Sequence, residues 1–140
     1  MKLSKVAIST GLVASFMFIG GGIAHADTPK STHEVAIEVI NGNYGNGDTR
    51  VTNLKSKGFD VKAIQTEVNN ILTDIELIEK LIRYANRYRK DNVEFHQQLT
   101  VAEQYYREYR YNKTLEIIRN SLDKVEPGAY ERIRNSVKPR

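Results

Sequence analysis

The chain has 140 residues, a formal net charge of +4 at pH 7, and no cysteine or tryptophan. Without cysteine, the protein has neither disulfides nor thiolate chemistry. The positive charge is too small to favour a nucleic acid as a partner. His33 and His96 do not form part of a metal-ligand spacing pattern, so we expect no metal and no cofactor.

The first 26 residues have the pattern of a secretory signal peptide. Lys2 and Lys5 precede an apolar stretch from residue 6 to residue 23 that contains no acidic residue, and Ala24-His25-Ala26 has the form that signal peptidases accept. We predict cleavage after Ala26, which leaves 114 residues with a net charge of +2. The alternative is an uncleaved membrane anchor, since the apolar stretch approaches the ~20 residues needed to cross a bilayer.

Beyond a short linker at residues 27–31, the chain is predicted to be all-α. Apolar residues recur at three- and four-residue spacing, no run alternates with period two, and Gly and Pro are confined to a few places. The last two helices are predicted to form an antiparallel helical hairpin, because the connection between them is short. The predicted helices cover approximately residues 32–41, 48–57, 60–72, 74–90, 93–110 and 112–125.

Several helix ends have recognisable signals. Ser31 or Thr32 is expected to cap the first helix, and Asp60 the third. Gly58 stands where a residue with left-handed backbone should end the second helix. The first helix is predicted to end at Asn41-Gly42 and the second to begin near Asp48, so the glycine-rich segment at residues 42–50 connects them.

Residues 32–72 carry a resemblance to a known repeat. The order and spacing match in Glu34-Val35-Ala36, Gly42-Asn43-Tyr44-Gly45-Asn46-Gly47-Asp48-Thr49-Arg50, Leu54, Gly58-Phe59-Asp60-Val61, Ile64-Gln65 and Val68-Asn69. This pattern resembles the CW-seven cell-wall-binding repeat of phage lysozymes. The resemblance implies a three-helix bundle that binds the muropeptide unit of peptidoglycan. It departs at Tyr44, where the family usually has Trp, and at Phe59, where it usually has Tyr.

The residue types of the glycine segment, residues 42–50, suit a ligand site. Glycines allow close approach of the backbone and leave amides free to donate. Tyr44 could stack on a sugar face, and Arg50 could bind a carboxylate through two hydrogen bonds. In the alternative, each residue is structural: Asp48 caps the second helix and Tyr44 covers the core. The predicted muropeptide-binding set is Tyr44, Gly45, Asn46, Gly47, Asp48, Arg50 and Gln65.

Residues 76–133 resemble a different family. The matching elements are Tyr84-Ala85-Asn86-Arg87-Tyr88-Arg89, Ala102-Glu103, Tyr106-Arg107, Tyr109-Arg110-Tyr111, Leu115-Glu116 and Val125-Glu126-Pro127-Gly128-Ala129. They resemble the C-terminal end of the septation-ring regulator EzrA, with Arg83 where that family usually has Gln. In that family this end lies in the cytoplasm and contributes to division-site localisation, whereas the predicted signal peptide implies export.

The second half of the chain is rich in tyrosine at helical spacings. We predict a surface there that binds a protein partner or a second copy of the chain, formed by Tyr84, Asn86, Arg87 and Tyr88. The alternative is that the tyrosines only pack against the core. A contact with the membrane is expected only if the signal peptide is not cleaved.

These observations lead to one main hypothesis and one alternative. The main hypothesis is an exported peptidoglycan-binding protein without catalytic activity, secreted or associated with the cell wall. It has a wall-binding repeat at residues 32–72, a helical module at residues 74–133 and a tail at residues 134–140. The alternative is a cell-division-associated interaction or regulatory protein that acts through the helical tail. An enzyme is not expected, because the chain has no cysteine and no Ser-His-Asp order with a credible context.

Overall fold

A computed structural model describes residues 29–140, and the predicted signal peptide at residues 1–26 lies outside the described residues. All regular secondary structure in residues 29–140 is helical, which confirms the predicted all-α class. Among these helices, none is long and apolar enough to cross a membrane. The described residues divide into two compact units, one up to residue 65 and the other from residue 66 to residue 140.

The helices of the described part differ from the predicted ones in two places. The predicted break between residues 72 and 74 is wrong, because no glycine or proline interrupts the helix and Thr73 Oγ1 donates to the carbonyl of Asn69 within it. The last helix was not predicted, since seven residues are too few to show a periodic pattern. The observed helices are α1 Thr32–Ile40, α2 Gly47–Ser56, α3 Val61–Arg89, α4 Val93–Arg107, α5 Tyr111–Val125 and α6 Ala129–Asn135.

The first unit is described from residue 29 to residue 65. Its helix α1 begins with a capping box: the Ser31 hydroxyl accepts from the Glu34 amide at 3.1 Å, and the Glu34 carboxylate accepts from the Ser31 amide at 2.7 Å. Asp60 accepts from the amide of Ala63 and caps α3 as predicted. The buried side chains are Val35, Ala36, Val39, Tyr44, Leu54 and Ile64.

The helices of the first unit end at glycines with left-handed backbone. Gly42 follows α1 with φ +85°, and Gly58 follows α2 with φ +79°. In each case the next residue donates its amide to a carbonyl five positions earlier, as from Phe59 to Leu54 at 3.1 Å. The predicted end of α2 at Gly58 is therefore confirmed, and so is the left-handed backbone expected there.

The second unit, residues 66–140, is built around the antiparallel hairpin of α4 and α5. Small buried residues, Ala102 in α4 and Thr114 and Ser121 in α5, allow neighbouring helices to approach closely. After α6 the chain returns to α3, where Val137 is buried and the amide of Arg140 donates to Thr73 Oγ1. The other buried apolar side chains are Val68, Ile71, Leu77, Ile78, Leu81, Ile82, Ala85, Phe95, Leu99, Tyr111, Ile118, Leu122, Ala129 and Tyr130.

In the turn between α4 and α5, the residue with left-handed backbone is not a glycine. Tyr109 occupies the left-handed position with φ 62°, and the amide of Arg110 donates to the carbonyl of Tyr105 as in the two glycine-ended helices. A side chain with a Cβ is strained there by about 1 to 2 kcal/mol. Tyr109 has a half-buried side chain, and its amide donates to the carbonyl of Tyr106 at 3.1 Å.

An ion pair joins α3 and α4. Arg89 donates to the carboxylate of Glu103, whose side chain is only 5% exposed, and Arg89 also donates to the side chain of Asn86. Burial lowers the pKa of Arg89, and its Nε has no hydrogen-bond partner in the described residues. The carboxylate of Glu103 therefore offsets most of the free-energy cost of burying the charge of Arg89.

We expect Glu103→Ala to lower the free energy of unfolding by roughly 3 kcal/mol, because it leaves the guanidinium of Arg89 buried without a carboxylate. Urea denaturation followed by circular dichroism measures this. The double variant Arg89→Met, Glu103→Leu should recover most of the loss, since it removes both charges. A loss in the single variant below about 1 kcal/mol would contradict the assigned role of the pair.

At position 109, glycine should be more stable than alanine by about 1 kcal/mol, because both substitutions remove the ring and only glycine tolerates the left-handed backbone. The same pair of substitutions at Gln98, an exposed position within α4, should give the opposite order by a similar amount. Thermal or urea unfolding of the four variants tests both orders. Equal stability of the two variants at position 109 would rule out strain there.

Candidate functional site

The glycine segment forms the connection between α1 and α2. Three of its glycines have positive φ, at Gly42, Gly45 and Gly47. A Cβ at Gly45 would lie 3.1 Å from Cγ2 of Thr49, and the amide of Gly45 donates to the carbonyl of Gly42. The segment therefore needs these glycines to turn tightly between two helices, irrespective of a ligand.

Tyr44 lies inside this unit. Its side chain is 4% exposed, its hydroxyl donates to Glu38 at 2.8 Å, and its ring meets the edge of Phe59 at a centroid distance of 6.3 Å. Lys57 lies over the ring at 5.5 Å. Burial, with the Glu38 carboxylate as a second cause, raises the pKa of Tyr44 to about 12. The ring has no open face on which a sugar could stack.

The other predicted muropeptide-binding residues mostly contact their neighbours. Arg50 Nε donates to the carbonyl of Gly45 at 3.3 Å, and Asn53 donates to the carbonyl of Tyr44 at 3.0 Å. Asn46 precedes α2 without a side-chain cap, and Asp48 is exposed in the first turn of α2. Gln65 is exposed on α3. Tyr44 is buried, as in the structural alternative, whereas Arg50 donates to the carbonyl of Gly45 rather than pairing with Asp48.

In the second unit, two of the predicted partner-binding residues bind one carboxylate. The hydroxyl of Tyr84 donates to Glu126 at 2.7 Å, and the hydroxyl of Tyr88 donates to the same side chain. Arg132 donates to Glu126 at 2.7 Å and to the Tyr84 hydroxyl at 3.0 Å. We call Tyr84, Tyr88, Glu126 and Arg132 the carboxylate cluster. It connects the C-terminal part of α3 with the turn before α6.

The turn at residues 126–129 holds Glu126 in this position. Pro127 fixes its own φ, Gly128 has φ +87°, and the amide of Ala129 donates to the carbonyl of Glu126 at 3.2 Å. The Val-Glu-Pro-Gly-Ala element is thus a tight turn that directs a carboxylate toward α3. In the sequence, Glu126 stands out only as part of a resemblance, and Arg132 carries no signal of a role. The one available signal was the i, i+4 pair of tyrosines in α3.

The two remaining partner-binding residues lie beside the cluster. The guanidinium of Arg87 is exposed and lies 3.8 Å above the ring of Tyr84, and its Nε donates to the Tyr84 carbonyl at 3.2 Å. Asn86 accepts from Arg89 at 3.3 Å. The structure therefore brings Tyr84, Arg87 and Tyr88 together through α3. Residues 29–140 contain no group of three or more His, Asp or Glu placed to hold a metal ion.

The carboxylate cluster should make stability sensitive to acid. Hydrogen bonds from Tyr84, Tyr88 and Arg132 lower the pKa of Glu126 from 4.5 to about 2. A lowered pKa stabilises the fold above the unfolded value, so this contribution should be complete above about pH 4.5 and should be lost as pH falls toward 2. We expect Glu126→Gln to lower stability at pH 7 and to reduce the decline between pH 5 and pH 2.

Urea midpoints measured across this pH range test the expectation. Glu116→Gln is the matched control, because the Glu116 carboxylate contacts only the exposed Lys113 at 3.2 Å. The control should keep both the stability at pH 7 and the acid-dependent decline of the parent chain. An unchanged decline in Glu126→Gln would show that the cluster does not hold an ionised carboxylate.

Comparison with known proteins confirms the resemblance of the second half of the chain to EzrA. The family model described as "Septation ring formation regulator, EzrA" matches residues 51–137. The septation ring formation regulator EzrA of Staphylococcus aureus strain JH9 is 33% identical over 109 residues, which cover 75% of this chain and 19% of the relative. Its counterpart in Staphylococcus epidermidis strain RP62A is 31% identical over 105 residues, covering 72% and 19%. No solved structure matches the chain.

The extent of these matches bears on the glycine segment. A stretch that covers 75% of a 140-residue chain begins no later than residue 36, so residues 42–50 lie within the similarity to the Staphylococcus aureus protein. The matched family and these relatives give no support to the CW-seven resemblance of residues 32–72. The chain spans about a fifth of the length of the relatives it matches.

Two predictions are corrected by this result. A secreted or cell-wall-associated location is wrong, and so is peptidoglycan or carbohydrate binding at the wall, because the relatives are regulators of septation ring formation. The association with cell division, which was the alternative, is the one that the relatives support. The family model covers residues 51–137, which is more than half of the sequence. The chain belongs to the EzrA family of septation ring formation regulators.

Proposed function

We propose that this chain is a protein-interaction module of the septation machinery that acts without catalysis through its unit at residues 66–140. The observation that carries the proposal is the family match, which includes nearly the whole of that unit. The relatives are named as regulators, which favours binding over chemistry. Because the chain spans a fifth of their length, we assign to it one contact surface rather than the activity of a whole relative.

The proposed contact surface has Arg87 at its centre. The Arg87 guanidinium rests on the ring of Tyr84, and Tyr84 is itself fixed by its hydrogen bond to Glu126. Among residues 29–140, no carboxylate pairs with Arg87. A rigid, exposed and unpaired guanidinium on an aromatic ring is a typical centre of a protein interface, since little side-chain entropy is lost on binding.

The neighbours of Arg87 define the chemistry of the partner. Asn86 precedes it, and the guanidinium of Arg132 lies 5.6 Å from the centroid of the same ring, so two guanidinium groups lie close to Tyr84. Arg132 is already paired with Glu126, whereas Arg87 is available. The surface therefore suits a carboxylate on a division protein, bound by Arg87 through two hydrogen bonds. Tyr88 contributes by fixing the cluster, with its ring against Phe95 at 5.7 Å.

We expect Arg87→Ala to remove at least half of the septal enrichment of the fluorescently labelled full chain in its native bacterium, because the partner's carboxylate loses its guanidinium. Arg87→Lys should rescue only partly, since an ammonium neither stacks on Tyr84 in the same way nor binds in a bidentate fashion. Quantitative fluorescence microscopy of dividing cells measures the enrichment.

Arg107→Ala is the matched control, because it removes the same charge from another exposed position without an ion pair in residues 29–140. It should localise as the parent chain does. Normal localisation of Arg87→Ala would overturn the contact surface, and uniform distribution of the parent chain would overturn the function itself. Circular dichroism of the purified variants checks that each remains folded.

A further inference from the structure

An open depression lies where α3 ends and α4 begins, within the unit at residues 66–140. Its volume is about 490 Å³, and its lining residues are Asn86, Arg89, Lys90, Val93 and His96. The first two belong to the last turn of α3, and the last two to the first turn of α4. Three of the five lining side chains are basic, and none of the five is acidic.

Several hydrogen-bond donors on this lining have no acceptor. The ammonium of Lys90 and the ring of His96 make no hydrogen bond or ion pair within residues 29–140. The side-chain oxygen of Asn86 accepts from Arg89 at 3.3 Å, which leaves the N–H groups of the Asn86 amide for a ligand. The depression therefore offers donors to an acceptor that the described part of the chain does not supply.

The charge of the lining is positive. Arg89 has more N–H groups than Glu103 and Asn86 accept, and its side chain is 20% exposed. Glu103 balances the charge of Arg89, whereas the charge of Lys90 has no counter-ion within residues 29–140. The acidic residue in the first turn of α4, Glu94, does not line the depression and pairs with Lys124 at 3.1 Å. The lining therefore attracts an anion.

One apolar side chain stands beside these cations. Val93 is 75% exposed, the larger exposure of the two exposed large hydrophobic residues in the described part of the chain. Covering an exposed valine with an organic group is favourable, because apolar surface leaves water. A ligand with an organic group next to its negative charge would therefore contact more of the lining than a bare inorganic anion does.

We propose that this depression binds an organic phosphate monoester, with its phosphate on Arg89, Lys90 and His96 and its organic group against Val93. A phosphate monoester carries about 1.5 to 2 negative charges at pH 7 and three strong acceptor oxygens. Donors from both helices and from the turn can each reach an oxygen, whereas a carboxylate offers two oxygens in one plane. The depression is separate from the proposed contact surface, because Arg87 is not among its lining residues.

Nuclear magnetic resonance titration of the isotope-labelled full chain tests the ligand class. Phenyl phosphate should shift the amide signals of residues 89–96 and bind about fivefold more tightly than benzoate, which has the same ring and a single negative charge. It should also bind about threefold more tightly than inorganic phosphate, because the ring covers Val93. Equal affinity for benzoate overturns the phosphate, and equal affinity for inorganic phosphate overturns the organic group.

Matched variants test the location. Lys90→Ala should weaken the binding of phenyl phosphate about fivefold, because an ammonium next to the phosphate is lost. Lys138→Ala is the control, since it removes the same charge from another exposed position without an ion pair in residues 29–140, and it should bind as the parent chain does. Equal losses in the two variants would mean general charge attraction and overturn the site. Val93→Ser should weaken phenyl phosphate and leave inorganic phosphate unchanged.

A free monoester and a phosphorylated protein side chain share this chemistry, and a short peptide containing phosphotyrosine distinguishes them. Affinity equal to that of phenyl phosphate assigns the site to a small molecule, and tenfold tighter binding assigns it to a protein segment. The same peptide with unmodified tyrosine should not bind, and its binding would overturn the proposal. Arg87→Ala should bind phenyl phosphate as the parent chain does, so the septal assay is decided separately.

Discussion

In the second unit, the carboxylate of Glu126 connects α3 with α6 through hydrogen bonds. Two tyrosine hydroxyls and one guanidinium hold it, and the Pro127-Gly128 turn places it where all three can reach. The donors come from α3 and α6, so a single side chain fixes elements that lie 42 and 6 positions away in sequence. The hydrogen bonds to a charged acceptor are stronger than neutral ones, and they also orient the ring on which Arg87 rests. The carboxylate of Glu126 therefore both stabilises the packing of α3 and α6 and positions the ring beneath Arg87.

Much of this fold follows from local rules that the sequence displays. Apolar spacing predicts the helices, and Gly42 and Gly58 stand at left-handed helix ends because they lack a Cβ. The same rules fail at Tyr109, where an aromatic residue has the left-handed backbone that usually requires glycine. They also fail at the predicted break between residues 72 and 74, where the hydroxyl of Thr73 donates to the carbonyl of Asn69 inside the continuous helix α3. Contacts between distant residues, such as Tyr84 with Glu126, have no local pattern at all.

The glycine segment shows why a motif can suggest the wrong chemistry. Glycines, an aromatic residue, an amide and an arginine suit a sugar site, yet they suit a tight helix connection equally well. Burial distinguishes a sugar site from a helix connection. Tyr44 is buried, its hydroxyl donates to Glu38, and its carbonyl accepts from Asn53. Burial arises from the packing of α1 and α2, which spacing along the chain does not encode. Similarity over three quarters of the chain is a stronger guide than short matching segments within residues 32–72.

The surface around Arg87 has a chemistry that suits an acidic partner. Cationic groups on an aromatic support favour a carboxylate, and salt weakens such a contact. Because the hydroxyl of Tyr84 donates to Glu126, the ring on which the Arg87 guanidinium rests is positioned by that carboxylate. The contact surface therefore depends on a hydrogen bond between residues that are 42 positions apart in the sequence.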